Sequence, residues 1–137
     1  MNVLERQIIR HEKQELHPYR DSVGKLTIGI GRNLTDNGIT EEEAIYLMRN
    51  DIRQCYDELE ARFCWFNDLD IVRRNVLLNM CFNMGLPVLT GFKKMLAAIE
   101  IQDWNTAAVE MIDSKWSAQV GIRADELVVQ MKTGRYQ

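Results

Sequence analysis

No stretch of this chain approaches the roughly 18 consecutive apolar residues that a membrane-spanning helix needs. Its first residues, MNVLERQIIRHEK, are charged by the fifth position, which excludes an ordinary signal peptide or signal anchor on these residues. The expectation is a soluble protein made in a cytoplasm. Net charge is also scarce. With 17 basic and 20 acidic residues the formal balance is -3, too little to draw in a polyanion, and no nucleic-acid partner is expected. The three cysteines, Cys55, Cys64 and Cys81, fit no zinc or redox spacing, and His11 and His17 make no cluster with them. They read as small, reduced core residues. No metal and no cofactor are expected. Repeats, low-complexity segments and linkers are absent too.

What is present suits one folded unit. A chain of 137 residues that is 46% hydrophobic can bury a genuine core, so one domain over 1–137 is expected, with two lobes. Charge is unevenly placed. Residues 36–70 hold ten acids against three bases, -7, which leaves +4 for the remainder. That acidic run reads as the solvated face of one long helix.

Asn2 and Glu5 have capping-box spacing, followed by Leu4 and Ile8 on one face, which predicts a short first helix ending near Glu12. Residues 16–20 and 25–30 read as two strands, with Leu26, Ile28 and Ile30 on one side and Lys25, Thr27 and Gly29 on the other. Asp21-Ser22-Val23-Gly24 supplies the turn, and Gly24 can take positive φ without steric cost. After a second turn at Asn37-Gly38, the box Thr40-Glu41-Glu42-Glu43 opens a long helix over about 41–62. Its stripe is Ala44, Met48, Ile52, Cys55 and Leu59.

The rest is helical. Asn67 or Asp68 is the expected cap of a helix carrying Leu69, Val72, Val76, Met80 and Met84, stopped by Gly85 and Pro87. Phe92, Met95, Leu96 and Ile99 form the next. Asp103 caps another with Trp104, Ala107, Ala108 and Met111. A last helix follows Trp116 and Gly121 and ends at Gly134. Trp104 and Trp116 read mainly as core, and Trp65 as the seat of the long helix. The fold class is therefore α+β: a small hairpin lobe at about 13–39, the connecting helix, and a helical lobe at about 63–137, with a cleft between the lobes.

Glu12, Asp21 and Thr27 fall on a helix end and two hairpin arms. Glycosidic hydrolysis needs a proton donor and either a nucleophile or an activated water, usually from two carboxyl groups in unlike surroundings. Glu12, beside apolar hairpin residues, suits the acid; Asp21, at an open turn, suits the ionised partner; and the Thr27 hydroxyl can hold a water. On spacing alone, a surface glutamate and an ordinary turn aspartate account for Glu12 and Asp21 better, because the chain has 20 acids.

Glu12 followed by Tyr19-Arg20-Asp21-Ser22-x-Gly24-Lys25-x-Thr27-Ile28-Gly29-Ile30-Gly31 resembles the active-site segment of the phage-type lysozymes, the T-even phage lysozyme family of endolysins. DIVRRNVLLNMCFNMG, GFKKMLAAIEIQDWNTAAVEMIDSKW and Lys132-Thr133-Gly134 resemble the helical lobe of the same family, so the likeness runs along nearly the whole chain in order. The resemblance implies a lysozyme-like fold and an inverting muramidase acting on peptidoglycan, cleaving between N-acetylmuramic acid and N-acetylglucosamine. It implies Glu12 as general acid, with Asp21 and Thr27 positioning and activating water. Gly31, Phe82, Asn83 and Arg123 match cleft-lining positions; for Phe82 core packing and sugar contact both stand, and for Asn83 contact is favoured. Arg123 matches an arginine that pairs with the catalytic glutamate, a cation that would lower the acid's pKa while burial raises it.

The resemblance further implies a monomeric endolysin for host lysis, held in the host cytoplasm until a membrane-permeabilising holin gives access to the wall. Departures are Arg32 in place of a histidine, so the pair made by that histidine is not carried over; Asn83 in place of a glutamine; and a shortened segment between Gly31 and Thr40. Two rivals are a lytic transglycosylase, which needs no incoming water, and a non-catalytic wall-binding module on the same fold.

Overall fold

The computed structural model describes residues 1–137. They form two compact units, Met1–Leu47 and Met48–Gln137, with the division falling inside one long helix.

In the first unit, α1 (Val3–Glu12) starts on the capping box read from the sequence: the Glu5 amide donates to Asn2 Oδ1 at 2.8 Å and the Asn2 amide to Glu5 Oε2 at 2.7 Å. It stops at Glu12 because Lys13 turns to φ 63, ψ 164, a region that L-residues rarely enter. Three antiparallel strands follow in the order β1 (Glu15–Arg20), β2 (Leu26–Gly29), β3 (Arg32–Asn33). Between Glu15↔Gly29 and Tyr19↔Thr27 the β1–β2 register is irregular. Pro18 lies in that interval and has no N–H to give the ladder.

Two elements here go beyond the expected hairpin. β3 is one. The other is α2 (Leu34–Asn37), capped by Asn33, whose Oδ1 accepts from the Asp36 amide at 3.0 Å. It braces β2 through Thr35 Oγ1, which accepts from the Leu26 amide at 2.8 Å, and through a 3.1 Å Lys25–Asp36 ion pair. The alternation of β2 also differs from expectation. Thr27 is the buried residue of the strand, whereas Ile30 is exposed. A unit this small has little core with which to cover an isoleucine.

α3 (Glu41–Arg62) opens on the Thr40–Glu43 box, with Thr40 N to Glu43 Oε1 at 2.9 Å and Glu43 N to Thr40 Oγ1 at 3.1 Å. Its apolar stripe is buried only at Cys55 and Leu59; Met48 and Ile52 are exposed.

The second unit is all helical after α3: α4 (Ile71–Met84), α5 (Leu86–Leu89), α6 (Lys93–Glu100), α7 (Trp104–Ile112), α8 (Lys115–Val120) and α9 (Ile122–Thr133). Its core includes Leu59, Phe66, Leu77, Met80, Ile99 and Met131, all without exposed surface. The cap of α4 is Asp70, which accepts from the Arg73 amide at 3.0 Å, not Asn67 or Asp68. Those two belong to a 3₁₀ turn at Phe66–Asp68, where the Asn67 side chain bonds instead to Glu60 and Tyr56. Asp103 caps α7 as expected, and Gly85 and Gly134 close α4 and α9 with positive φ.

The cysteines divide. Cys55 and Cys81 are core residues, and burial pushes the Cys81 thiol up to about 12, so it is chemically inert. Cys64 is exposed just past the end of α3, contrary to its expected burial. Trp116 is buried, while Trp104 is half-buried beneath the Arg73 guanidinium, 4.1 Å from the ring centre.

Arg73 ties the start of α4 to the end of α9. Its Nε donates to the Met131 carbonyl at 2.6 Å and its Nη2 to the Lys132 carbonyl at 3.1 Å, two acceptors with no helical partner of their own. Arg73→Met keeps the packing but loses these bonds. It should lower unfolding free energy by about 2 kcal/mol, read as a lower urea midpoint at unchanged slope.

Candidate active site

Glu12 is the last residue of α1, exposed, and lies against the backbone of Gly31. A Cβ built on Gly31 would stand 2.7 Å from Glu12 Oε2 and 2.9 Å from its Cδ, so only a glycine admits the carboxylate at this distance. Gly31 also has φ +72, which L side chains rarely adopt. The fold thus joins two of the expected site residues.

Asp21 and Thr27 are joined through a third residue. Asp21 Oδ1 accepts from the Val23 amide at 3.0 Å and from the Lys25 amide at 2.8 Å, which organises the turn. On the other side of the same residue, Thr27 Oγ1 donates to the Lys25 carbonyl at 3.0 Å. Lys25 therefore links the aspartate and the threonine by its own N–H and C=O. The Thr27 hydroxyl proton is engaged, so its oxygen offers lone pairs, and Asp21 Oδ2 is left as a second acceptor.

Gly31 also lines a groove of about 980 Å³ with Leu16, Ile28, Arg32, Glu43 and Tyr46. Within it, Arg32 Nη1 and Glu43 Oε1 are 2.7 Å apart. The Arg32 hydrogen bond, with the amide of Thr40, holds the Glu43 carboxyl down to about 2, and Glu43 raises Arg32 in turn. A carboxyl depressed by folding contributes stability above the ordinary carboxylate range, and that contribution is lost as pH falls toward 2. The resemblance implies only that a histidine is missing at Arg32; it gives no sign of the Arg32–Glu43 ion pair. The only available signal was an arginine ahead of a capping box, whose N3 glutamate has a second lone pair to offer.

In the helical unit the other expected contacts separate. Phe82 and Arg123 share a cavity of about 400 Å³ with Met48, Ile52, Asn75 and Asn79. Asn83 opens onto a different cavity of about 780 Å³ with Trp116, Phe92, Lys93 and Lys94. There its Oδ1 accepts from Trp116 Nε1 at 2.8 Å, leaving the amide N–H groups as donors to a ligand. Phe82 is 42% exposed, so it is not a core residue. No three His, Cys, Asp or Glu side chains converge as metal ligands would. No helix is long and apolar enough to cross a membrane.

A mostly helical chain with a small antiparallel sheet, and a helix-end carboxylate seated on the glycine that turns β2 into β3, has the α+β make-up of the lysozyme-like class. Residues 9–132 match the phage lysozyme family model, and the chain belongs to that family. Two relatives from Dictyostelium discoideum, "Probable T4-type lysozyme 2" and "Probable T4-type lysozyme 1", are 29% and 27% identical to it, each alignment covering 90% of this chain and 89% of the relative. A third, "Pre-baseplate central spike protein Gp5" of Enterobacteria phage T4, is 31% identical over 77% of this chain, a match that takes in 19% of the spike protein.

Proposed function

We propose that this protein is a muramidase that hydrolyses the β-1,4 bond between N-acetylmuramic acid and N-acetylglucosamine in peptidoglycan, with inversion, and that it serves as a monomeric phage endolysin for host-cell lysis. The observation that carries the reading is the Lys25 link between Asp21 and Thr27. A water donating one proton to Thr27 Oγ1 and the other to Asp21 Oδ2 is left with a lone pair turned outward, as attack on an anomeric carbon requires. Asp21 takes the proton as that bond forms. Glu12 gives one to the leaving oxygen. Phe82, Asn83 and Arg123 are assigned to glycan contact on the helical unit, and a holin supplies access to the wall.

The test is product analysis of digested peptidoglycan by mass spectrometry. Hydrolysis leaves reducing muramic acid ends one water heavier than the anhydro ends of a transglycosylase; anhydro ends alone would sink the proposal. Digestion in ¹⁸O-water places the label on the new reducing end.

Asp21→Asn is the informative variant, since its amide oxygen can still accept from Val23 and Lys25 while the charge is gone. It and Thr27→Ala should each lower kcat by about 100-fold or more. The melting temperature should fall by only a few degrees, the equivalent of about 1 kcal/mol. Full turnover in either variant removes that residue from the mechanism.

A further inference from the structure

Strand β3 is two residues long and meets β2 only at Thr27↔Asn33 and Ile28↔Arg32. A ladder that short does not hold its own position. Yet Gly31 directly precedes it, so wherever β3 sits, the backbone that lies against the Glu12 carboxylate sits too. Side chains fix the strand instead. Arg32 Nη1 donates to the Gly38 carbonyl at 3.2 Å and to Glu43 Oε1 at 2.7 Å. Glu43 is itself held, because the same Oε1 accepts from the Thr40 amide and its own amide is bonded to Thr40 Oγ1. The guanidinium is thus anchored to the first turn of a helix of 22 residues.

We propose that Arg32 and Glu43 are a positioning pair for the reaction: through β3 they hold Gly31 against Glu12 and so set the aim of the acid. The assignment rests on the reading of Glu12 as the proton donor. Neither residue touches the reacting atoms; both act through Gly31. Their side chains are 38% and 40% exposed, and ion pairs of that kind add little to global stability. Loss of the pair should therefore appear in turnover and leave the melting temperature nearly unchanged.

The experiment uses the full chain and soluble peptidoglycan strands. Arg32→Met removes both bonds of the guanidinium. Glu43→Gln keeps an acceptor for the Thr40 amide, so the capping box survives while the ionic bond is lost. Arg32→Met should lower kcat by about 10-fold with KM within about twofold, and Arg32→Lys should recover most of that loss. The double variant Arg32→Met/Glu43→Gln should be no worse than Arg32→Met alone, since the two residues act as one. In ¹H–¹⁵N spectra of Arg32→Met the Gly31 amide should shift and exchange faster, with the helical unit unmoved.

Wild-type kcat in Arg32→Met overturns the proposal, as do additive losses in the double variant or an unmoved Gly31 amide. A fall in activity matched by the unfolded fraction assigns the pair a structural role instead, which also overturns it. If the wild type and Glu12→Gln prove equally inactive on peptidoglycan, the hydrolase reading fails separately, and the Gly31 amide alone decides whether the pair holds β3.

Discussion

Glu12→Gln is expected to lower release of reducing ends from peptidoglycan by about 1,000-fold or more, with no change in unfolding midpoint. The glutamine keeps the shape of the side chain and its position at the end of α1, but it has no acidic proton to give a leaving glycosidic oxygen. Stability should hold because the residue is exposed and follows nine helical residues whose start is secured elsewhere, at Asn2 and Glu5. Glu15 is the matched control: an exposed acid on β1, paired with Gly29 and with no place in the mechanism, so Glu15→Gln should keep full turnover. If Glu12 were only a surface helix residue, the two variants would behave alike. That outcome would leave a wall-binding module as the reading of the fold. The same measurement on Asp21→Asn then separates loss of the acid from loss of the water site, since only the former should respond to substrates with better leaving groups.

The features that could be read in the sequence share one property, which is that both partners lie within a turn or two of each other. Asn2 with Glu5, Thr40 with Glu43 and Asp103 with Thr106 are three residues apart, and each makes the local bond that its spacing implies. The Asp21–Gly24 turn belongs with them. At the start of α4 spacing points to Asn67 or Asp68, yet Asp70 is the cap, because Asn67 is taken by Tyr56 and Glu60 on α3. Burial depends on more distant partners. Met48 and Ile52 have the right period for a core face and lack a core, and Cys64 stands beyond the end of the helix whose pattern it continues. β3 is too short for a period of two to register. For the site, Glu12, Asp21 and Thr27 came from resemblance, since spacing alone preferred ordinary roles for the two acids. The Arg32–Glu43 pair and the engagement of Asn83 by Trp116 join residues distant in sequence, and no local pattern announces them, whereas the Lys25 link is local and hidden only because its bonds run through the backbone of a residue with no role of its own.

Gly31→Ala should lower turnover about 100-fold, whereas Gly29→Ala, at the same modest cost in stability, should keep full turnover. Both glycines have φ +72, so an alanine at either meets the same backbone penalty, about 1–2 kcal/mol. Their surroundings differ. Around a Cβ on Gly29 there is nothing within 4 Å, whereas one on Gly31 meets Glu12 Oε2 at 2.7 Å, Cδ at 2.9 Å and Cγ at 3.1 Å. The obstructing atoms are the far end of an exposed, flexible side chain, so Glu12 gives way and the fold survives. The carboxylate is then displaced by an ångström or so, enough to lower kcat by about 100-fold if it delivers the proton. Urea unfolding should show the two alanine variants losing similar stability, while turnover falls only in Gly31→Ala. Equal activity in the two variants would mean that the place of the carboxylate against Gly31 does not matter, and Glu12 would lose its claim to be the acid.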